Sequence, residues 1–135
     1  LKNLAGSTIE FVDWQPPEKL LTYYRGCRML IFPGEEDFGI VPVEAMACGK
    51  PVVAFAKGGA LETVIGFTTA GDQPATGIFF QKQQVDDLIS AVERAEQIEW
   101  DTNFIAAHAR KFDTSVFREK MLNFIREKTQ LHFSK

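Results

Sequence analysis

PGEEDFGIVPVEAMACGKPVVAFAKGGALETV, residues 33–64, decides how this chain is read. It begins behind the apolar run Met29-Leu30-Ile31-Phe32, a strand stopped by Pro33-Gly34. The acidic loop Glu35-Glu36-Asp37 follows, then a short helix. Pro42 suits the first helical position, Gly49 the left-handed residue beyond the last turn, and Pro51 stands just after it. Val52-Val53-Ala54-Phe55 is a second buried strand, Gly58-Gly59 marks its loop, and a short helix is expected around residues 61–65.

The pattern extends in both directions. Upstream, Ile9 to Val12 reads as a short strand. A helix then starts at Pro17, buries Leu20, Leu21 and Tyr24, and ends at Gly26. Downstream, residues 66–76 are rich in Gly, Thr, Asp and Pro and read as loop, and residues 78–80 as a short strand. Val85, Leu88, Ile89 and Val92 fall on one face of a helix reaching about Gln97. Asp101 caps the next helix; Asp113, Thr114 or Ser115 caps the last, whose apolar face carries Phe117, Met121, Phe124 and Ile125. Apolar strands alternating with helices predict an α/β fold with a Rossmann-like parallel sheet and helices on both faces. Four short strands make a thin sheet and residues 1–7 carry no strand signal, so the expectation is a domain truncated at its start.

At 135 residues the chain suits one domain, residues 1–135, and 45% hydrophobic residues with 12 Phe supply a core. A net charge of −3 argues against nucleic acid as the partner. Cys27 and Cys48 lack metal spacing, which fits a reducing cytosol, and Cys48 reads as a small core residue. No apolar stretch is long enough to be a transmembrane segment; this leaves peripheral contact with the inner face of a membrane open.

Ligands in parallel sheets bind beyond the carboxyl ends of the strands, where loops open into helix N-termini. Glu36 and Glu44, with seven residues between them, stand at such a place. With Pro42 first in the helix, Glu44 lies near its third position, and the amides of residues 38–41 point into the same space unpaired. A helix N-terminus favours an anion, and carboxylates accept hydrogen bonds from sugar hydroxyls, so the combination suits a sugar nucleotide. Each glutamate also has a plainer reading: a first-turn Glu often only caps its helix, and acidic loops are usually just solvated.

The run Glu-Asp-Phe-Gly followed by Val-Glu-Ala-Met-Ala-Cys-Gly-Lys-Pro-Val-Val-Ala resembles the signature of glycosyltransferase family 4, retaining enzymes of the two-domain GT-B type with a Glu-x(7)-Glu motif. Gly-Gly-Ala-Leu-Glu-Thr-Val and the Phe-rich last helix continue the resemblance, which covers nearly the whole chain. Pro-Gly-Glu-Glu-Asp-Phe-Gly-Ile-Val-Pro-Val-Glu is similar to a subgroup of mannosyltransferases using GDP-mannose. The resemblance implies the C-terminal donor-binding half of such an enzyme. Glu36 is then the catalytic residue that contacts the donor sugar, Glu44 holds the ribose hydroxyls, and Gly39, Ile40 and Val41 bring amides to the diphosphate and sugar. It further implies a nucleotide-sugar donor, and an acceptor glycan or lipid-linked sugar held by an N-terminal domain absent from this chain. No metal or cofactor is expected, and the chain alone should be inactive. The loop before Glu36 is one residue shorter than the common form, and Asp37 replaces a frequent Gly.

Lys57 reads as a surface lysine, His108 and His132 as surface or helix-packing residues, Glu62 as a cap, and Trp14 as a packing residue that could otherwise flank the base. Two other functions fit the same fold: a non-catalytic nucleotide-sugar-binding module, and a GT-B-shaped sugar-nucleotide epimerase. The retained Glu36 and Glu44 pair favours the transferase.

Overall fold

A computed structural model of the chain describes residues 2–68 and 74–133. Of the loop expected over residues 66–76, positions 69–73 lie outside the described residues, as does the side chain of Phe133. The described elements are α1 (Pro17–Gly26), β1 (Leu30–Phe32), α2 (Ile40–Ala47), β2 (Val52–Phe55), α3 (Ala60–Thr63), β3 (Gly77–Phe80), α4 (Val85–Glu96), α5 (Thr102–Ala109) and α6 (Thr114–Phe133), with short 3-10 turns at Lys2–Leu4 and Arg110–Phe112.

The three strands form one parallel sheet in the order β1-β2-β3, with Leu30 opposite Val52 and Val52 opposite Gly77. The central strand explains the apolar run: all four of its residues are buried, as a strand covered on both faces requires. On one face Phe32, Met46, Val52, Ala54, Ala60, Val64, Ile105 and Ala109 bring α2, α3 and α5 together. On the other, Val53, Phe55, Ile78 and Phe80 pack on Ala91 and Ala95 of α4. Helices therefore lie on both faces, as the alternating pattern predicts.

Local chemistry sets several element ends. Gly49 adopts φ 72 just past α2, where a side chain would be strained. Asp101 accepts a hydrogen bond from the Phe104 amide at 2.9 Å and caps α5. Asp113 accepts from the Ser115 amide at 2.8 Å and its hydroxyl at 2.6 Å, which places the cap of α6 on Asp113. His108 is buried, with Nε2 2.8 Å from the Thr63 carbonyl oxygen; it joins α5 to the end of α3 and is a packing residue. Cys48 is half-buried beyond α2 rather than inside the core.

Other expectations are corrected too. Residues 9–12 are not a strand: no sheet partner lies beside them among the described residues, and Ile9, Phe11 and Val12 are exposed. The sheet thus has three strands rather than four. Leu20 and Leu21 are exposed rather than buried, and only Tyr24 of that stripe is half-buried. Trp14 is 83% exposed and does not pack. The α6 face of Phe117, Met121, Phe124 and Ile125 is exposed along its length. Among the described residues no helix is long and apolar enough to cross a membrane.

Gly77 is where the sheet is tightest. A Cβ there would collide with the Val52 carbonyl oxygen of the neighbouring strand and lie 2.8 Å from Val64 Cγ1. Backbone cannot retreat as a side-chain tip can, so Gly77→Ala is expected to cost about 1–3 kcal/mol. The control is Gly34→Ala, where a Cβ meets nothing within 4 Å, and there the change stays within about 0.5 kcal/mol. Urea midpoints of the two variants check this; equal midpoints would contradict it.

Candidate functional site

Three loops meet at the carboxyl ends of the strands. The loop after β1 carries Glu35, Glu36, Asp37 and Phe38, all exposed, and ends at the buried Gly39. The turn after β2 carries Gly58 and Gly59. A Cβ on Gly58 would strike the Glu36 carbonyl oxygen, and a Cβ on Gly59 would strike the Phe38 backbone. Only glycine allows this approach, and Gly58 also has φ 61. The Gly59 amide donates to the Glu36 carbonyl oxygen at 2.7 Å and ties the two loops. Behind β3, Gln83 Nε2 donates to the Pro33 carbonyl oxygen at 2.9 Å and holds the start of the β1 loop.

Aromatic contacts brace the other side. The Phe38 ring meets Phe112 edge-on at 5.8 Å, and Phe112 meets His108 at 5.6 Å. The acidic loop is therefore held from both sides while its carboxylates remain in solvent. Lys57 Nζ sits 3.3 Å from Glu35 Oε2, an exposed pair in which both side chains are more than half accessible; such a pair contributes little to stability.

The helix behind this loop starts earlier than its proline suggested. Gly39 is its N-cap in the left-handed region, with φ 79 and ψ 69, and Ile40 is its first residue. Pro42 is thus third rather than first in the helix. The physical reason is that the first turn has no intrahelical acceptor for its N–H groups, so proline is tolerated anywhere within it. The amides of Gly39, Ile40 and Val41 precede that proline, and among the described residues none of them has a hydrogen-bond acceptor.

The same shift moves Glu44 to the fifth helical position, so no acidic residue stands in the first turn of α2. The reading of Glu44 as a simple helix cap therefore falls away. Its Oε2 instead accepts a hydrogen bond at 2.8 Å from the phenol of Tyr24 on α1, twenty residues away in sequence. Burial and the Glu44 carboxylate push the Tyr24 pKa well above its ordinary value, so the phenol stays a donor through neutral pH. Burial also raises the pKa of the Cys27 thiol, whose Sγ contacts the Tyr24 carbonyl oxygen at 3.2 Å.

Glu36 and Glu44 thus lie on either side of the α2 N-terminus, one in the preceding loop and one a turn into the helix, with side chains open to solvent. The sequence singled out both, along with the three amides, but not Tyr24, Gly58 or Gly59 as parts of the site. Tandem glycines after a strand were the available signal for the close approach; nothing local marks the bond from Tyr24 to Glu44. Among the described residues no three His, Cys, Asp or Glu side chains converge as a metal site would need.

A parallel sheet covered by helices on both faces, with loops gathered at the carboxyl ends of its strands, defines the doubly wound class of α/β fold. The chain belongs to a particular family within it: residues 1–112 match the family described as glycosyl transferases group 1. It is 36% identical over 70 residues to the alpha-1,3/1,6-mannosyltransferase ALG2 of Candida glabrata, covering 52% of this chain and 15% of that protein. To a D-inositol 3-phosphate glycosyltransferase of Corynebacterium diphtheriae it is 32% identical over 118 residues, covering 78% of this chain and 26% of that protein. Among solved structures it superposes on the sucrose-phosphate synthase of Thermosynechococcus elongatus with a TM-score of 0.66 and 29% identity, over 96% of this chain and 32% of the other. The starch synthase IV catalytic domain of Arabidopsis thaliana shares the fold, with a TM-score of 0.58 and 20% identity over 82% of this chain and 24% of the other. The chain spans under a third of each of these four proteins.

The loop contact can be probed directly. Gly58→Ala puts a side chain into the left-handed region, at roughly 1–2 kcal/mol, and against the Glu36 carbonyl oxygen. The Gly59 amide, bonded to that oxygen, should then exchange its hydrogen about tenfold faster, in keeping with a local loss of that size. Unchanged exchange at Gly59 would show that the contact does not hold the loop.

Proposed function

We propose that this domain binds a nucleoside diphosphate sugar and serves retaining transfer of the sugar to a hydroxyl acceptor. The observation that carries the reading is the arrangement around α2: unpaired amides of Gly39, Ile40 and Val41 at a helix N-terminus, with Glu36 before them and Glu44 after them. Amides and the positive end of the helix suit the diphosphate. Glu44 suits the ribose hydroxyls, and Glu36 the donor sugar. In the transfer, negative charge grows on the departing diphosphate and positive charge on the anomeric carbon. The fixed amides stabilise the first, and the carboxylate of Glu36, carried on a loop whose backbone is tied to Gly59, favours the second. The amides take the place a metal ion would fill at the diphosphate, and the transfer is proposed to run without one. The acceptor, a glycan or lipid-linked sugar, is assigned to residues outside this chain, so the 135 residues alone should transfer no sugar. GDP-mannose is the first donor to test, because the motif flavour and the Candida glabrata relative both point to mannose.

The two glutamates should behave differently in the complete gene product. Glu44→Ala removes charge-assisted hydrogen bonds of about 1.5–3 kcal/mol each. That contact is equal in ground and transition states, so donor KM should rise by roughly a hundredfold while kcat falls less. Glu36→Gln keeps the shape but removes charge beside the reacting carbon, and should lower kcat by roughly ten- to a thousandfold with little change in diphosphate affinity. Steady-state kinetics of these variants beside Glu35→Gln and Asp37→Asn make the test. If all three acidic-loop variants cost the same, or none costs anything, Glu36 has no special part.

A further inference from the structure

We propose that Tyr24 is a positioning residue for Glu44, its phenol holding one carboxylate oxygen so that the rest of the group is presented to the ribose of the bound nucleotide. The inference rests on the reading of Glu44 as the ribose contact, and it deepens that reading by adding a residue from a different helix.

Geometry is the first support. The Tyr24 hydroxyl donates to Glu44 Oε2 at 2.8 Å, a well-formed O–H···O hydrogen bond. Among the described residues Tyr24 is the hydrogen-bond partner of Glu44, and Oε1 remains open on an exposed side chain. A carboxylate has about four lone-pair sites, so one donor leaves room for two ribose hydroxyls. The second support is that Tyr24 is more covered than its neighbours on α1. It is half-buried on α1, while Leu20 and Leu21 of the same helix line a hollow with Pro17, Tyr24 and Glu44 between α1 and α2. The phenol also stays protonated, because burial and the neighbouring carboxylate raise its pKa.

An exposed glutamate one turn into a helix would otherwise sample many rotamers, and a ligand would have to order it on binding. A carboxylate already held avoids that cost. The competing idea is that the bond merely staples α1 to α2. A staple would act on every ligand alike, whereas a positioning residue acts only where ribose hydroxyls meet Glu44.

The experiment uses the complete gene product and the tightest-bound of GDP, UDP and ADP, beside the 2′,3′-dideoxy form of the same nucleotide. Tyr24→Phe should raise the Kd of the ribonucleotide about five- to tenfold, the size expected for one such hydrogen bond, and leave the dideoxy Kd unchanged. In a Glu44→Ala background the same substitution should change neither Kd by more than about twofold, as coupled residues in one interaction require. Equal weakening of both nucleotides by Tyr24→Phe would overturn the proposal in favour of a staple. So would an unchanged or tighter ribonucleotide Kd when Glu44→Ala weakens it. If Glu44→Ala does not affect the ribonucleotide, or no nucleotide binds, the ribose reading fails and this proposal with it.

Discussion

The loop after β1 stands where it does because the Gly58-Gly59 turn lets two backbones touch. The Gly59 amide reaches the Glu36 carbonyl oxygen at 2.7 Å, and there is no space for a Cβ on either glycine. That contact joins the ends of neighbouring parallel strands and sets the loop between them at the mouth of α2. Phe38 then finds Phe112, which rests on His108, whose imidazole in turn meets the carbonyl oxygen at the end of α3. The backbone of the acidic loop is therefore tied to the edge of the sheet, while its carboxylates face solvent.

A braced backbone matters for the proposed chemistry, which needs charge placed near a group that is gaining charge. Backbone amides at a helix start cannot reorient, and the contacts of the Glu36 and Phe38 backbones fix where the loop carries its carboxylates. Amides of this kind give stabilisation that does not have to be organised during the reaction. Glu44 joins them by another route, through a phenol on α1, so that the proposed nucleotide site draws on α1, the loop after β1 and α2 together.

Much of this was legible in the residues. The apolar runs at 29–32, 52–55 and 78–80 became three parallel strands because a run buried on both faces has few alternatives. Pro17, Gly26, Gly49 and Asp101 marked helix ends through constraints that act within a few residues. The failures share a cause. Residues 9–12 are apolar enough for a strand, but a strand needs a partner, and a partner is not written in the segment itself. Pro42 allowed two helix starts, because proline fits any position in the first turn, and the choice moved Glu44 by two places. Leu20 and Leu21 keep helical spacing yet face little protein, since periodicity gives a face and not what covers it. Tyr24 reaches Glu44 across twenty residues, a distance at which no local pattern speaks.

The central claim is that the start of α2 receives the diphosphate of a nucleotide. An amide-resolved NMR titration of the chain with GDP, UDP and ADP at millimolar concentration addresses it most directly. The account predicts that the largest shifts fall on the Gly39, Ile40 and Val41 amides, with Glu44 following for the ribonucleotide. Shifts centred elsewhere, such as on the Ser90, Glu93 and Arg94 surface of α4, or no shift at residues 39–41 with any of the three, would contradict it.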